Sequence, residues 1–286
     1  MTPPNDHDRG LSFDLATMTG RRLIDRRRAL RVVAGAGLAA LVGCGSGDDG
    51  EPTAASPTST VGSSSTTAGS QSATGSDAEC AAIPEETAGP FPGDGSNGPD
   101  VLTEDGIVRA DIRPSFGSAR GLAEGVPATL DLQVLDGANG CAPLTGAAVY
   151  VWHCDRDGRY SLYSPGAADQ NYLRGVQEAD ASGALSFTTI FPGCYAGRWP
   201  HIHFEVYPNV ADATGGGSAL ATSQLAIPED ACNRAYDVDG YAQSVTNLAP
   251  LTLESDMVFA DGAGLQLATA TGSADDGFAL RLSVVV

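Results

Sequence analysis

The sequence predicts an all-β domain, an antiparallel sandwich or barrel, and three observations carry that prediction. Five segments alternate or run apolar with β-branched and aromatic residues: Ala128–Asp136, Ala147–Asp155, Ala184–Phe191, His201–Pro208 and Phe278–Val286. Turn-forming stretches separate them, namely DGANG, DRDG, DASG, PG and DGAG. No long segment carries a helical period, although ESDMVFADG could include a short turn of helix. Short strands between Gly/Asp turns, with no internal repeat, are the pattern of antiparallel sheets.

The strand-rich region follows two segments of other character. In residues 1–44, Arg21–Arg22 and Arg26–Arg28 precede an apolar run from Val32 to Val42. That run is far short of the ~20 residues needed to span a bilayer. Basic residues before a short apolar stretch read as a secretory leader, and the paired arginines suggest the twin-arginine route. The run closes in LVGC, Leu41 to Cys44, which resembles the lipobox of bacterial lipoproteins. That resemblance implies cleavage before Cys44 and acylation of its thiol. The expectation is a protein lipid-anchored on the outer face of the cytoplasmic membrane or secreted; an ordinary signal cut slightly later is the other reading.

Residues 45–79 are rich in Ser, Thr, Gly and Ala and contain almost nothing to build a core, so they read as a flexible tether. The β domain is then expected over 80–286. With a net charge of −19, a pI near 4.3 and no lysine at all, the chain lacks the basic surface that nucleic acid requires. Five cysteines follow the tether: Cys80, Cys141, Cys154, Cys194 and Cys232. Export permits disulfides, and the odd count leaves at least one thiol unpaired. Spacing does not fix the pairing; Cys80–Cys141 and Cys194–Cys232, with Cys154 free, is the expected arrangement.

Histidine is scarce. His7 lies in the leader, which leaves His153, His201 and His203. His201 and His203 sit at i and i+2 of a strand, so both imidazoles face one way, roughly 6.5–7 Å apart at the backbone. No Gly-x-Ser-x-Gly elbow accompanies them, and CxxC spacing of a structural zinc site is absent. No histidine follows His203 to complete a cupin-like set. Two imidazoles alone make a weak site, so further ligands must be of another type. Tyr195 lies six residues before His201 across a glycine-containing loop, and Tyr160 lies just beyond an Asp-Gly turn. A trivalent cation stabilises a phenolate directly, and phenolate plus imidazole suits Fe(III) better than Zn or Cu(I).

The ordered stretches PEETAGPFP, VWHCDRDGRYS, NYLRGVQEADASGALSFTTIFPGCYAGRW and PHIHFEV are similar to those of the intradiol ring-cleavage dioxygenases. That family includes catechol 1,2-dioxygenases and the protocatechuate 3,4-dioxygenase subunits. The resemblance runs from about Cys80 to Pro208 and weakens beyond. It implies a β-sandwich and a non-haem Fe(III) held by Tyr160, Tyr195, His201 and His203. It also implies cleavage of a catechol between its hydroxyl-bearing carbons by O2, giving cis,cis-muconate-type diacids. Tyr195 would accept a substrate proton, and Arg198 would offset negative charge on the ring and oxygens. Gln224 is a weaker candidate for the same pocket.

Each assignment has a competitor. Tyr163 and Tyr172 lie near Tyr160, while His153, Trp152 and Trp199 read as packing or wall residues. The helical region through which cytoplasmic relatives dimerise has no room here, so a homodimer is an open expectation. A non-catalytic, lipid-anchored binding module on the same scaffold is the alternative function, and a zinc or copper hydrolase using the HxH pair a third. Retention of all four ligand positions and of Arg198 favours the dioxygenase.

Overall fold

A computed structural model of the chain describes residues 80–286. The leader, with Cys44, and the tether lie outside the described residues. Two sheets are present among them. The first joins β1 (Pro127–Asp136), β2 (Ala142–Pro143), β5 (Ala184–Ile190), β8 (Thr269–Ser273) and β9 (Gly277–Val285). The second has the order β4 (Arg174–Glu178), β3 (Ala148–Trp152), β6 (His201–Tyr207) and β7 (Ala221–Ala226), all antiparallel.

Alternation in the sequence becomes two walls of one core. In β1, Leu130, Leu132 and Val134 point inward; in β6, Ile202, Phe204 and Val206 do. They meet Phe278 and Leu280 of β9 and Val149 and Val151 of β3. Each such side chain contributes about 1.5–3 kcal/mol by leaving water. The opposite face of the second sheet is buried as well. There Tyr150, Trp152 and Tyr207 pack into a separate cluster with Ala88, Val101, Ile107 and Tyr160. Burial on both faces is why every residue of β6 is buried.

The segment around Ile107–Ile112 closes one side of the sandwich. Val176 of β4 donates its amide to Ile107 O, and Ile112 donates to Thr188 O of β5, so one extended stretch touches both sheets. Within the first sheet one pairing is parallel: β1 and β9 run together from Ala128/Phe278 to Leu135/Val285. Alternation is the same for parallel and antiparallel strands, so this detail left no sequence mark.

Among the described residues three short helices, α1 (Val210–Thr214), α2 (Glu229–Tyr236) and α3 (Ala242–Leu248), depart from the all-strand reading. The longest has eight residues, too few positions for a 3.6-residue period to register. The turn expected in ESDMVFADG is a 3-10 turn at Leu253–Ser255, begun by a capping box on Thr252.

Cys80 is bonded to Cys141, which ties the entry segment to the turn after β1. The expected Cys194–Cys232 bond is absent: both are buried thiols, as is Cys154. Cys232 lies on α2 with its Sγ directed at Ile227 O, whereas the Cys194 thiol faces Arg198 O. They serve as small packing residues.

Candidate metal centre

The site grows from the face of β6 that turns away from the sandwich core. There Trp152, His203 and Gln224 stand opposite one another across β3, β6 and β7. His201 lies two residues from His203 on the same face, as strand geometry requires. The Trp152 indole stacks on His203 with centroids 4.9 Å apart and planes 5° apart. His201 is oriented by its other nitrogen: Nδ1–H donates to the Trp199 carbonyl at 2.5 Å. Its Nε2 therefore presents a lone pair.

Three donor atoms surround that lone pair. Tyr160 Oη is 3.4 Å away, Tyr195 Oη 3.3 Å and His203 Nε2 3.2 Å. All four residues expected from the sequence thus meet at one point. The competing tyrosines do not join them. Tyr163 Oη accepts from the Gly93 amide, and Tyr172 donates to the Asp155 carboxylate.

Two loops sewn together deliver the tyrosines. The Asp155 carboxylate accepts from the amides of Asp157 and Arg159, which shapes the DRDG turn ahead of Tyr160. Gly193, in the PGCY stretch, donates its amide to the Asp155 carbonyl. A Cβ at Gly193 would fall 2.5 Å from Arg156 O, so only glycine allows the Tyr195 loop to lie on the Tyr160 loop. The PEETAGPFP segment covers the site from the other side. Arg174 donates to the carbonyls of Phe91 and Pro92, and Tyr150 to that of Pro92. Phe91 then lies 5.1 Å from the Tyr160 ring. Gly89 adopts φ +70° where a Cβ would stand 3.2 Å from His203 Cε1.

Burial keeps both imidazoles in the neutral form that can ligate a cation. Burial, then the Arg198 charge, hold the His201 imidazole down at about 3, and burial lowers His203 well below the ordinary range too. Both histidines are therefore neutral at pH 7. Burial, reinforced by Tyr195, pushes the Tyr160 phenol well above its ordinary value. The distances around His201 Nε2 exceed those of ordinary O–H hydrogen bonds, ~2.7–2.8 Å, and one lone pair cannot serve three neighbours. Atoms that share an ion at ~2.0–2.2 Å stand roughly 3–3.5 Å apart. His203 Nδ1 and Trp152 Nε1 are buried without a hydrogen-bond partner. Neutral imidazoles and hard phenol oxygens at this spacing fit a trivalent iron. Among the described residues no cluster of three His, Cys, Asp or Glu could hold a metal. Half of the converged set is tyrosine.

Arg198 is buried. Its Nε donates to Asp256 Oδ2 at 3.0 Å and its Nη2 to Gln224 Oε1 at 2.6 Å, while Gln224 Nε2 donates to Thr87 O. The sequence placed Arg198 and, loosely, Gln224. It missed Asp256, 58 residues from its partner, because a lone acidic residue in a loop leaves no periodic signal. His153 has a structural place: Nδ1–H donates to Cys154 O and Nε2 accepts from Thr189. Trp199 donates Nε1–H to Ile227 O in the core. A cavity of about 790 Å³ lies elsewhere, lined by Leu132, Leu185, Leu267 and Leu282. It holds none of these residues and carries none of this chemistry.

Known proteins bear on this geometry. A family model described as Dioxygenase matches residues 109–203, the stretch containing Tyr160, Tyr195, Arg198, His201 and His203. A chlorocatechol 1,2-dioxygenase of Rhodococcus opacus is 33% identical over 93 residues, 29% of this chain and 36% of that protein. The match thus spans about a third of that relative's length. A solved intradiol ring-cleavage dioxygenase from Tetranychus urticae is 26% identical and superposes with a TM-score of 0.57. The match covers 72% of this chain and 94% of that one. In its two-sheet sandwich and its Tyr/His convergence, the chain is similar to the intradiol ring-cleavage dioxygenases.

Proposed function

We propose that the protein cleaves catechol-type aromatics with O2 between the hydroxyl-bearing carbons, giving cis,cis-muconate-type diacids. In this reading Tyr160, Tyr195, His201 and His203 hold a non-haem Fe(III). The bound ion supplies a Lewis acid and a template for an ortho-diphenol. The observation that carries the reading is the meeting of two phenol oxygens and two imidazole nitrogens within 3.2–3.4 Å of contact.

The chain's own groups divide the remaining work. Tyr195 is half-buried whereas Tyr160 is wholly buried, so Tyr195 Oη is the phenol accessible to an incoming diphenol and accepts one of its protons. Arg198, fixed between Asp256 and Gln224, offsets negative charge developing on the ring and oxygens. Phe91 and Trp152 wall the centre with apolar rings, excluding water and strengthening those charge interactions.

The location belongs to the same proposal. Arg21–Arg22, the short apolar run and LVGC support export and anchoring through lipidated Cys44. Catechols met outside the cytoplasm, of lignin or plant type, are then the natural substrates. Oxygen uptake by the purified iron-loaded protein with catechol, protocatechuate, hydroxyquinol and caffeate tests the reading. Stoichiometric uptake with at least one of them is expected; no uptake with any would overturn it.

A further inference from the structure

We infer that Asp256 is a positioning residue for ring cleavage, holding Arg198 in the one orientation the reaction uses. The inference rests on the proposed function for the meaning of Arg198, but its geometry stands alone. Asp256 is fully buried, and both of its oxygens are engaged. Oδ1 accepts from the amides of Val258 and Phe259, at 2.8 and 3.3 Å, which fixes the carboxylate against its own loop. Oδ2 accepts from Arg198 Nε at 3.0 Å and from the Trp199 amide at 2.7 Å. A single oxygen therefore ties the Arg198 side chain to the backbone one residue further on.

A guanidinium is planar, so fixing two of its N–H bonds to different partners fixes the plane. Asp256 takes Nε–H and Gln224 takes one from Nη2. Gln224 is held in turn by Thr87 O in the strap over the site. Four separate stretches, 84–92, 198–199, β7 and 252–259, are thereby locked around one cation. Asp256 also supplies the counter-charge that lets an arginine be buried beside two neutral histidines; a buried charge stripped of its partner is strongly unfavourable. Burial raises the Asp256 carboxyl, but the Arg198 charge and the Trp199 and Val258 amides outweigh it and hold the group ionised.

The test is a cycle of Asp256→Asn, Arg198→Ala and the double variant in the iron-loaded protein. Asp256→Asn is expected to lower kcat roughly 10–100-fold, the range for losing a supporting partner, with KM and the visible band little changed. In the Arg198→Ala background the same change should cost less than about twofold, because residues acting through one another are not additive. A second readout needs neither metal nor turnover. In the metal-free protein the Arg198 Nε–H resonance should exchange slowly with solvent, and Asp256→Asn should shift it and speed its exchange. Should Asp256→Asn fail to fold, Asp256→Glu keeps the charge, displaces the oxygen and is read in the same cycle. An unchanged kcat, an equal loss with and without Arg198, or an unmoved Nε–H resonance would overturn the inference. A wild-type protein inert toward every catechol would instead overturn the proposed function, leaving the resonance test standing.

Discussion

The indole of Trp152 lies flat on the imidazole of His203, 4.9 Å between centroids and 5° between planes. The contact links the second hydrophobic cluster directly to a metal-ligand candidate, since Trp152 also stacks on Tyr150 at 4.9 Å. Trp152→Ala should therefore cost about 3–5 kcal/mol in denaturant unfolding. It should also lower iron retention, because His203 loses the ring that holds its orientation. Trp152→Phe keeps an aromatic face and should lose less on both counts. Equal iron retention in all three proteins would show that the stack does not serve the site.

The two tyrosines should report their own roles through colour. Phenolate bound to ferric iron absorbs in the visible by charge transfer, so Tyr160→Phe and Tyr195→Phe should each bleach or shift that band. Tyr163→Phe is the control. Its hydroxyl is occupied by the Gly93 amide, so the band should stay as in the wild type. Colour unchanged by Tyr160→Phe would remove that residue from the ligand set.

Cysteine chemistry should separate one bond from three thiols. Alkylation of the denatured, unreduced protein, read by peptide mass, should leave Cys80 and Cys141 unmodified and label Cys154, Cys194 and Cys232. The bond closes a loop of 61 residues in sequence separation. Chain entropy then gives about 4 kcal/mol of stabilisation. Cys80→Ser with Cys141→Ser should lose an amount of that order, and reductant should destabilise the wild type while leaving this variant unchanged.

Those outcomes bear on how much the sequence discloses. The alternation in HIHFEVY disclosed the site face itself, because Ile202, Phe204 and Val206 had to enter the core and so turned His201 and His203 to the other side. Tyr160 and Tyr195 were legible as residues following Gly turns, and the structure brings both to His201. The polar strands β4, β7 and β8 were not legible: RGVQE, ATSQLA and TATGS lack a strong period, and pairing with neighbours makes them strands. Asp256 escaped for the same kind of reason, since its meaning lies in a partner distant along the chain. Cys194 and Cys232 show the converse error, in which residue type suggested a bond that their places in the fold do not make.

Acid should destabilise the metal-free protein partly through His153. Burial holds this imidazole down at about 4, opposed by its bond to Cys154 O and assisted by the Arg174 charge. Its folded value thus lies below the unfolded value of about 6.5. Between those two values the unfolded chain binds the extra proton, so stability falls as pH falls through that window. The slope is about 1.4 kcal/mol per pH unit for each such group. His153→Gln has no proton to gain, so its unfolding free energy should be flatter by about that slope between pH 6.5 and 4. Parallel curves for the two proteins would contradict the assignment.

The most direct test is a visible absorption spectrum of the purified protein taken together with its iron content. One iron per chain, with a wine-red band that shifts when catechol is added without oxygen, is the predicted result. A colourless protein that takes up no iron, or an iron-loaded protein lacking that band, would contradict the ferric Tyr/His centre on which the proposed activity depends.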